Sequence, residues 1–209
     1  MHFAELIHWL THPDGLYTLL EQNWLLGLAI VAVILFFETG VVIFPFLPGD
    51  SLLFATGAFF GASGHSIVLA ISFATAGAFL GDMANYSIGR SRIGQSLLHS
   101  RWVKPHHIQL THEWFARYGG MTIVIGRFIP IVRTFAPFVA GMSEMNKRRF
   151  VAFNLLGAVL WSSLILMVGY LLGANTWVKG HFEWVSLIII VISLIPVIAN
   201  LPKLWCKRP

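Results

Sequence analysis

Apolar positions run in long stretches along this chain, and four of these stretches are long enough to cross a bilayer, the first by joining Tyr17–Leu20 to Trp24–Phe37. They are Tyr17–Phe37, Ile67–Gly89, Phe150–Gly173 and Trp184–Leu201, against a requirement of about 20 residues. Two more apolar stretches, about 38–60 and about 121–145, are interrupted by proline, glycine and charge. Proline and glycine break helix hydrogen bonds, and broken backbone survives in hydrocarbon only where protein or a water-filled cavity surrounds it. These stretches therefore predict two hairpins that enter the membrane and turn back. Residues 1–12 place Phe3, Leu6, Ile7 and Leu10 at helical spacing, with Glu5, His8 and Thr11 between them, which predicts a short interfacial helix. Pro13-Asp14-Gly15 reads as a turn and Gly61–His65 as a loop. Arg90–Gly120 mixes five basic residues with Leu97, Leu98, Trp102, Trp114, Phe115 and Tyr118, the pattern of amphipathic helices lying on a membrane surface. The expected fold is an all-α polytopic membrane protein. It has about four transmembrane helices, two opposed re-entrant helical hairpins and interfacial amphipathic helices, in one domain over residues 1–209.

Composition sharpens the class. Charged residues make up 11% and apolar ones 56%, where a soluble domain carries about 25% charged residues. The pI of about 9.7 could suit nucleic acid, but in a membrane protein basic residues mark cytoplasmic loops and contacts with anionic lipid. No nucleic-acid partner is expected. Cys206 is the single cysteine, so no disulfide forms within the chain, and its neighbours Lys203, Lys207 and Arg208 place the C-terminus in the cytoplasm. Residues 1–20 contain no Lys or Arg to begin a cleavable signal peptide. Basic residues flank 121–145 on both sides, so that stretch goes in and returns, whereas 39–66 has no Lys or Arg and should open to the other face. The N-terminus then falls on the cytoplasmic side. An internal repeat fits the same topology. Pro45 to Gly57 is a step of twelve and Pro130 to Gly141 a step of eleven, while Gly77 to Gly89 and Gly157 to Gly169 are both steps of twelve. With hairpins opening to opposite faces, these would be inverted repeats.

The hairpins also carry the candidate chemistry. Glu38, Pro45, Pro48, Gly49 and Asp50 belong to the first, and Arg127, Pro130, Arg133, Pro137 and Gly141 to the second. Ionisable groups at membrane depth cost on the order of 2.5–3.5 kcal/mol each and usually serve function. Arginine keeps its charge and pairs bidentately with phosphate oxygens, so Arg127 and Arg133 are candidate phosphate ligands. Burial and a neighbouring arginine push a carboxylate's pKa in opposite directions, which makes Glu38 and Asp50 candidate proton carriers. The same four charges could instead do no more than pair and hold the hairpins together. Asp82, Asn85, Tyr86 and Gly89 share one helical face, either lining a cavity or packing. Arg90 reads as an end anchor, and Asn154 and Trp161 as packing residues. His99, His106, His107 and His112 lack the spacing of a zinc motif, so neither metal nor cofactor is expected. The eight tryptophans suit an aromatic belt. No Ser-His-Asp or phosphatase-like set lies within membrane reach, which argues against an enzyme.

Three segments carry a family resemblance: Glu38…Pro45-x-x-Pro48-Gly49-Asp50, Gly81-Asp82-x-x-x-Tyr86-x-x-Gly89-Arg90, and Gly126-Arg127-Phe-x-Pro130-x-x-Arg133-Thr134…Pro137…Ala140-Gly141…Met145. Phe150-x-x-x-Asn154-x-x-Gly157-x-x-x-Trp161 continues it. Together they resemble the DedA family of bacterial inner-membrane proteins, related to the eukaryotic SNARE-associated Golgi and VTT-domain groups, over about residues 20–175. The resemblance implies translocation of undecaprenyl phosphate or a similar anionic lipid, dependence on protons and the proton motive force, and roles in envelope integrity, alkaline-pH tolerance and resistance to cationic peptides. It also implies that Glu38, Asp50, Arg127 and Arg133 are essential. A proton- or sodium-coupled antiporter or osmosensing transporter is the alternative. Membrane lipids are partners either way, and a homo-oligomer is compatible with both.

Overall fold

A computed structural model describes residues 13–40, 49–91 and 105–173. Seven helices run through them: α1 Pro13–Gly40, α2 Gly49–Ser63, α3 Ile67–Arg90, α4 Pro105–Tyr118, α5 Met121–Gly126, α6 Pro130–Met142 and α7 Lys147–Gly173. No strand occurs among the described residues. The interfacial helix expected over 1–12, the hairpin prolines Pro45 and Pro48, the span expected over Trp184–Leu201 and the C-terminal tail lie outside them.

Among the described residues three helices are long and apolar enough to cross a membrane: Thr18–Gly40, Ile67–Arg90 and Lys147–Gly173, with mean hydropathies of 1.9, 1.8 and 2.1. Their outward faces are apolar, with Val68, Leu80, Leu155, Leu164 and Leu171 all exposed, as lipid-facing surfaces are. The first run is not one straight helix. Asn23 leaves helical geometry at φ −156°, ψ 88°, and its side-chain oxygen accepts the backbone N–H of Leu26 at 3.1 Å. It therefore caps a second helical segment where the apolar pattern alone reads as continuous. α2 also runs to Ser63, past the expected loop start at Gly61, because Gly61 packs directly on the backbone of Tyr170 in α7. The turn to α3 is made at Gly64, whose φ of +73° suits a residue without Cβ.

Helix α2 lies along α7, α6 lies along α3, and α1 also packs on α3. Glycines set how closely they approach. A Cβ at Gly57 would strike the carbonyl oxygen of Leu166, and one at Gly169 would strike that of Phe54. Likewise a Cβ at Gly141 would strike the carbonyl of Tyr86, and one at Gly89 that of Phe138. In all four cases the carbonyl belongs to the residue three before the partner glycine. The α2/α7 and α6/α3 crossings thus repeat the same backbone contact. Each pairs a short helix from one half of the chain with a long helix from the other, so the halves interlock. Small residues at helix crossings are the usual source of close packing where no hydrophobic drive separates protein from lipid. Between them sits a core of Leu28, Leu35, Leu53, Phe60, Trp161 and Leu166, each at most 2% exposed.

α4 lies beside α6, with Thr111 buried and Gln109, Glu113 and Arg117 exposed. The α5–α6 segment is a helix–turn–helix hairpin over the stretch where the second hairpin is expected. Pro130 opens α6 at a position where its missing N–H costs nothing. Pro137, inside α6, withholds the donor that would serve the carbonyl four residues back.

Gly169→Ala should lower stability by about 1–3 kcal/mol through overpacking against Phe54. The lipid-facing change Ala76→Val should be nearly neutral. Thermal melts of the purified protein in detergent check this; equal melting temperatures for the two variants would show that the glycine crossing is not tight.

Candidate functional site

The last turn of α1, the first turns of α2 and α6, the α5–α6 turn and the middles of α3 and α7 converge on one cluster of buried charge. Arg133 of α6 reaches across to the first half of the chain. Its Nη1 donates to Asp50 Oδ1 at 2.9 Å, and its Nη2 pairs with Glu38 Oε1. Glu38 lies in the last turn of α1, Asp50 in the first turn of α2 and Arg133 in the first turn of α6. Gly49 makes room: a Cβ there would fall on the Glu38 carboxylate. The Asp50 side chain keeps 30% of its surface exposed, against 9% for Glu38.

Arg127 does not join that group. It sits in the turn after α5 and pairs with Asp82 of α3, Nη2 to Oδ2 at 2.8 Å, with side chains 2% and 5% exposed. Its Nη1 donates to the Asn154 side-chain oxygen at 3.1 Å and to the Asn154 backbone carbonyl at 3.3 Å. Asn154 is itself oriented by donating to the Phe79 carbonyl at 3.1 Å. Nη2 of Arg127 is thus taken by the Asp82 carboxylate, and its Nε has no hydrogen-bond acceptor among the described residues. Glu38 Oε2, Asp82 Oδ1 and Asn85 Oδ1 likewise lack a donor among them. Trp161 of α7 joins the two arginines: the Arg133 guanidinium lies 4.6 Å and the Arg127 guanidinium 5.5 Å from its ring centroid, within cation–π range.

Asn85 clasps the hairpins through backbone. Its amide nitrogen donates to the Thr39 carbonyl at the end of α1 and to the Thr134 carbonyl in α6, both at 3.0 Å. Tyr86 points elsewhere. Its hydroxyl donates to the Met145 carbonyl at 2.5 Å and its ring stacks on Phe150 at 4.2 Å, nearer the basic end of α3 than the charge cluster. Gly141 lies on that side too, against Tyr86. Asn154 and Trp161, read from sequence as packing, are both in the cluster. The signal that could have found them is position: a tryptophan in the middle of a span is misplaced for an aromatic belt, and Asn154 lies seven residues before it on the same face.

Burying these charges is costly unless each keeps a partner. Arg133→Gln should therefore destabilise the protein by about 3–5 kcal/mol, since it leaves Glu38 buried without a counter-charge. The double variant Arg133→Gln/Glu38→Gln should recover a large part of that loss. Melting temperatures of the three variants measure the coupling, and simple additivity would mean the pair does not interact.

The comparisons with known proteins agree in kind. The VTT domain matches residues 47–171. Protein DedA of Escherichia coli (strain K12) is 40% identical over 197 residues, covering 91% of this chain and 90% of DedA. The uncharacterized membrane protein Rv0364 of Mycobacterium tuberculosis is 36% identical over 203 residues, covering 93% and 88%. Inner membrane protein YqjA of Escherichia coli (strain K12) is 33% identical over 186 residues, covering 86% and 84%. No solved structure matches the chain. With its apolar helices, the motifs around Glu38, Asp82, Arg127 and Arg133, and these relatives, the chain is a membrane protein of the VTT-domain, or DedA, family.

Proposed function

We propose that this protein moves a polyprenyl phosphate, undecaprenyl phosphate or a close analogue, between the leaflets of the bacterial inner membrane. In this reading the two hairpins are re-entrant and opposed, and the charge cluster lies between the leaflets. The observation that carries the reading is the state of the two arginines. Both are withdrawn from the surface and both are held by acids that another anion can replace. Arg127 is held through Nη2 by Asp82 while its Nε has no hydrogen-bond acceptor among the described residues, and the Nε–Nη2 edge is the fork by which arginine takes two oxygens of a phosphate once that acid lets go. A phosphate head needs such a polar path, while its apolar tail stays in lipid. The interlocked repeats supply a scaffold in which one half can rock against the other around a fixed site.

The acids act as competitors. Deprotonated, Glu38 and Asp50 hold Arg133, and Asp82 holds Arg127; protonated, they release the guanidiniums to phosphate. Coupling to the proton motive force follows from that exchange, and transport rather than catalysis is the expected activity. The competing reading is an ion antiporter. It is favoured by the buried oxygens of Glu38, Asp82 and Asn85 that lack donors among the described residues, since such oxygens are the ligand type a hard cation takes.

Leaflet-resolved assays in proteoliposomes with a defined polyprenyl phosphate separate the two. Arg127→Lys and Arg133→Lys should each cut lipid flux by about tenfold or more, because an ammonium cannot replace the fork. Full flux in both would remove bidentate recognition. Glu38→Gln and Asp50→Asn should insert normally but lose the pH dependence of flux. Lipid movement by both that a protonophore does not alter would end the proton-coupled exchange. Ion flux without lipid flux in the wild type would favour the antiporter.

A further inference from the structure

A second polar cavity, of about 750 Å³, lies where α3 ends and α7 begins. Arg90 of α3, Glu144 and Asn146 of the preceding turn, and Lys147, Arg148 and Val151 of α7 line it. Three cations against one acid leave it a net charge of +2. None of the three cations has an ion pair among the described residues. Arg90 is held in place: its Nη1 donates to the Tyr86 hydroxyl at 3.3 Å, and that tyrosine is fixed by Met145 and Phe150. Glu144, at φ +51°, is the left-handed residue of the cap that ends α6: its N–H donates to the Gly141 carbonyl at 3.1 Å and that of Met145 to the Ala140 carbonyl at 3.0 Å.

The cavity's surroundings decide its ligand. Val151 continues at i+4 and i+8 into Leu155 and Val159, which are 48% and 40% exposed on the outer face of α7. A cationic cup thus opens beside an apolar stripe, the shape of a charged head on a long tail. Basic pockets between membrane helices bind phospholipid heads in this way. The cup is also near the buried cluster. Arg90 is eight residues beyond Asp82 on α3, about 12 Å at 1.5 Å per residue, and Arg148 is six residues before Asn154, about 9 Å on the same rise.

We propose that this cavity docks the phosphomonoester head of one anionic lipid at the basic end of α3 and α7, with the tail along Val151, Leu155 and Val159. The inference takes its headgroup chemistry from the lipid-phosphate reading above and adds the place where the lipid waits outside the buried arginines.

The test is native mass spectrometry of the full-length protein in detergent, offered dioleoyl phosphatidic acid against phosphatidylcholine. Wild type should retain one phosphatidic acid in preference. Arg90→Gln/Lys147→Gln/Arg148→Gln should reduce that preference by about tenfold or more. Glu144→Gln, which removes the one acid, should raise it and covers the case in which the triple variant fails to insert. An unchanged preference in the triple variant, or no gain in Glu144→Gln, overturns the docking site. Displacement of phosphatidic acid by millimolar inorganic phosphate overturns the assignment to a lipid. If wild type moves no polyprenyl phosphate in proteoliposomes yet shows the preference, lost in the triple variant, the translocation reading fails while the docking site stands.

Discussion

A guanidinium inside a membrane protein has to bring its counter-charges with it, and Arg133 finds them only by joining distant segments. Glu38 and Asp50 are twelve residues apart in the chain, and Arg133 stands more than eighty residues further on. Their pairing brings the end of α1, the start of α2 and the start of α6 to one point. Arg127 does the same for α3 and α7 through Asp82 and Asn154. Such pairs add little net stability, since desolvation offsets most of the attraction. They do penalise any packing that leaves one member alone, and so they select the arrangement in which the ends of α1, α2 and α6 meet.

Backbone and charge follow different symmetries here. The α2/α7 and α6/α3 crossings use the same glycine-on-carbonyl contact with the same three-residue offset. The charges are not duplicated: Glu38, Asp50 and Asp82 all belong to the first half, and Arg127 and Arg133 to the second. Every ion pair among the described residues therefore spans the two halves. For a carrier of the kind proposed, that asymmetry has a use. A symmetric scaffold can open to either face, while anion release depends on acids from one half letting go of arginines from the other. Trp161 lies over both guanidiniums and keeps their environment apolar without adding a competing acceptor.

Much of this was legible in the chain. Long apolar runs with few charges mean membrane helices, because hydrocarbon tolerates little else, and the Pro-Gly-Asp and Arg-x-x-Pro-x-x-Arg stretches stand out against them. Of the glycines whose spacing suggested a repeat, Gly57, Gly89, Gly141 and Gly169 sit at the paired crossings, whereas Gly77 packs on Ala32 and Gly157 on Val124. The break at Asn23 was hidden, since Glu21-Gln22-Asn23 between two apolar runs does not by itself tell a cap from a tolerated interruption. Tyr86 shares a helical face with Asp82, but a face turns through several neighbours over two turns of helix. Its partners are Met145 and Phe150 rather than the arginines.

By itself, then, the sequence determined that the protein lives in a membrane, which segments are broken, and which ionisable residues are too costly to be incidental. Those follow from local composition and the physics of hydrocarbon. Only the tertiary structure decided the pairing: Arg133 with Glu38 and Asp50, Arg127 with Asp82 and Asn154, and Trp161 beside both. A charge's partner is set by which backbones can approach closely enough, and here that is governed by glycines on helices far apart in the chain.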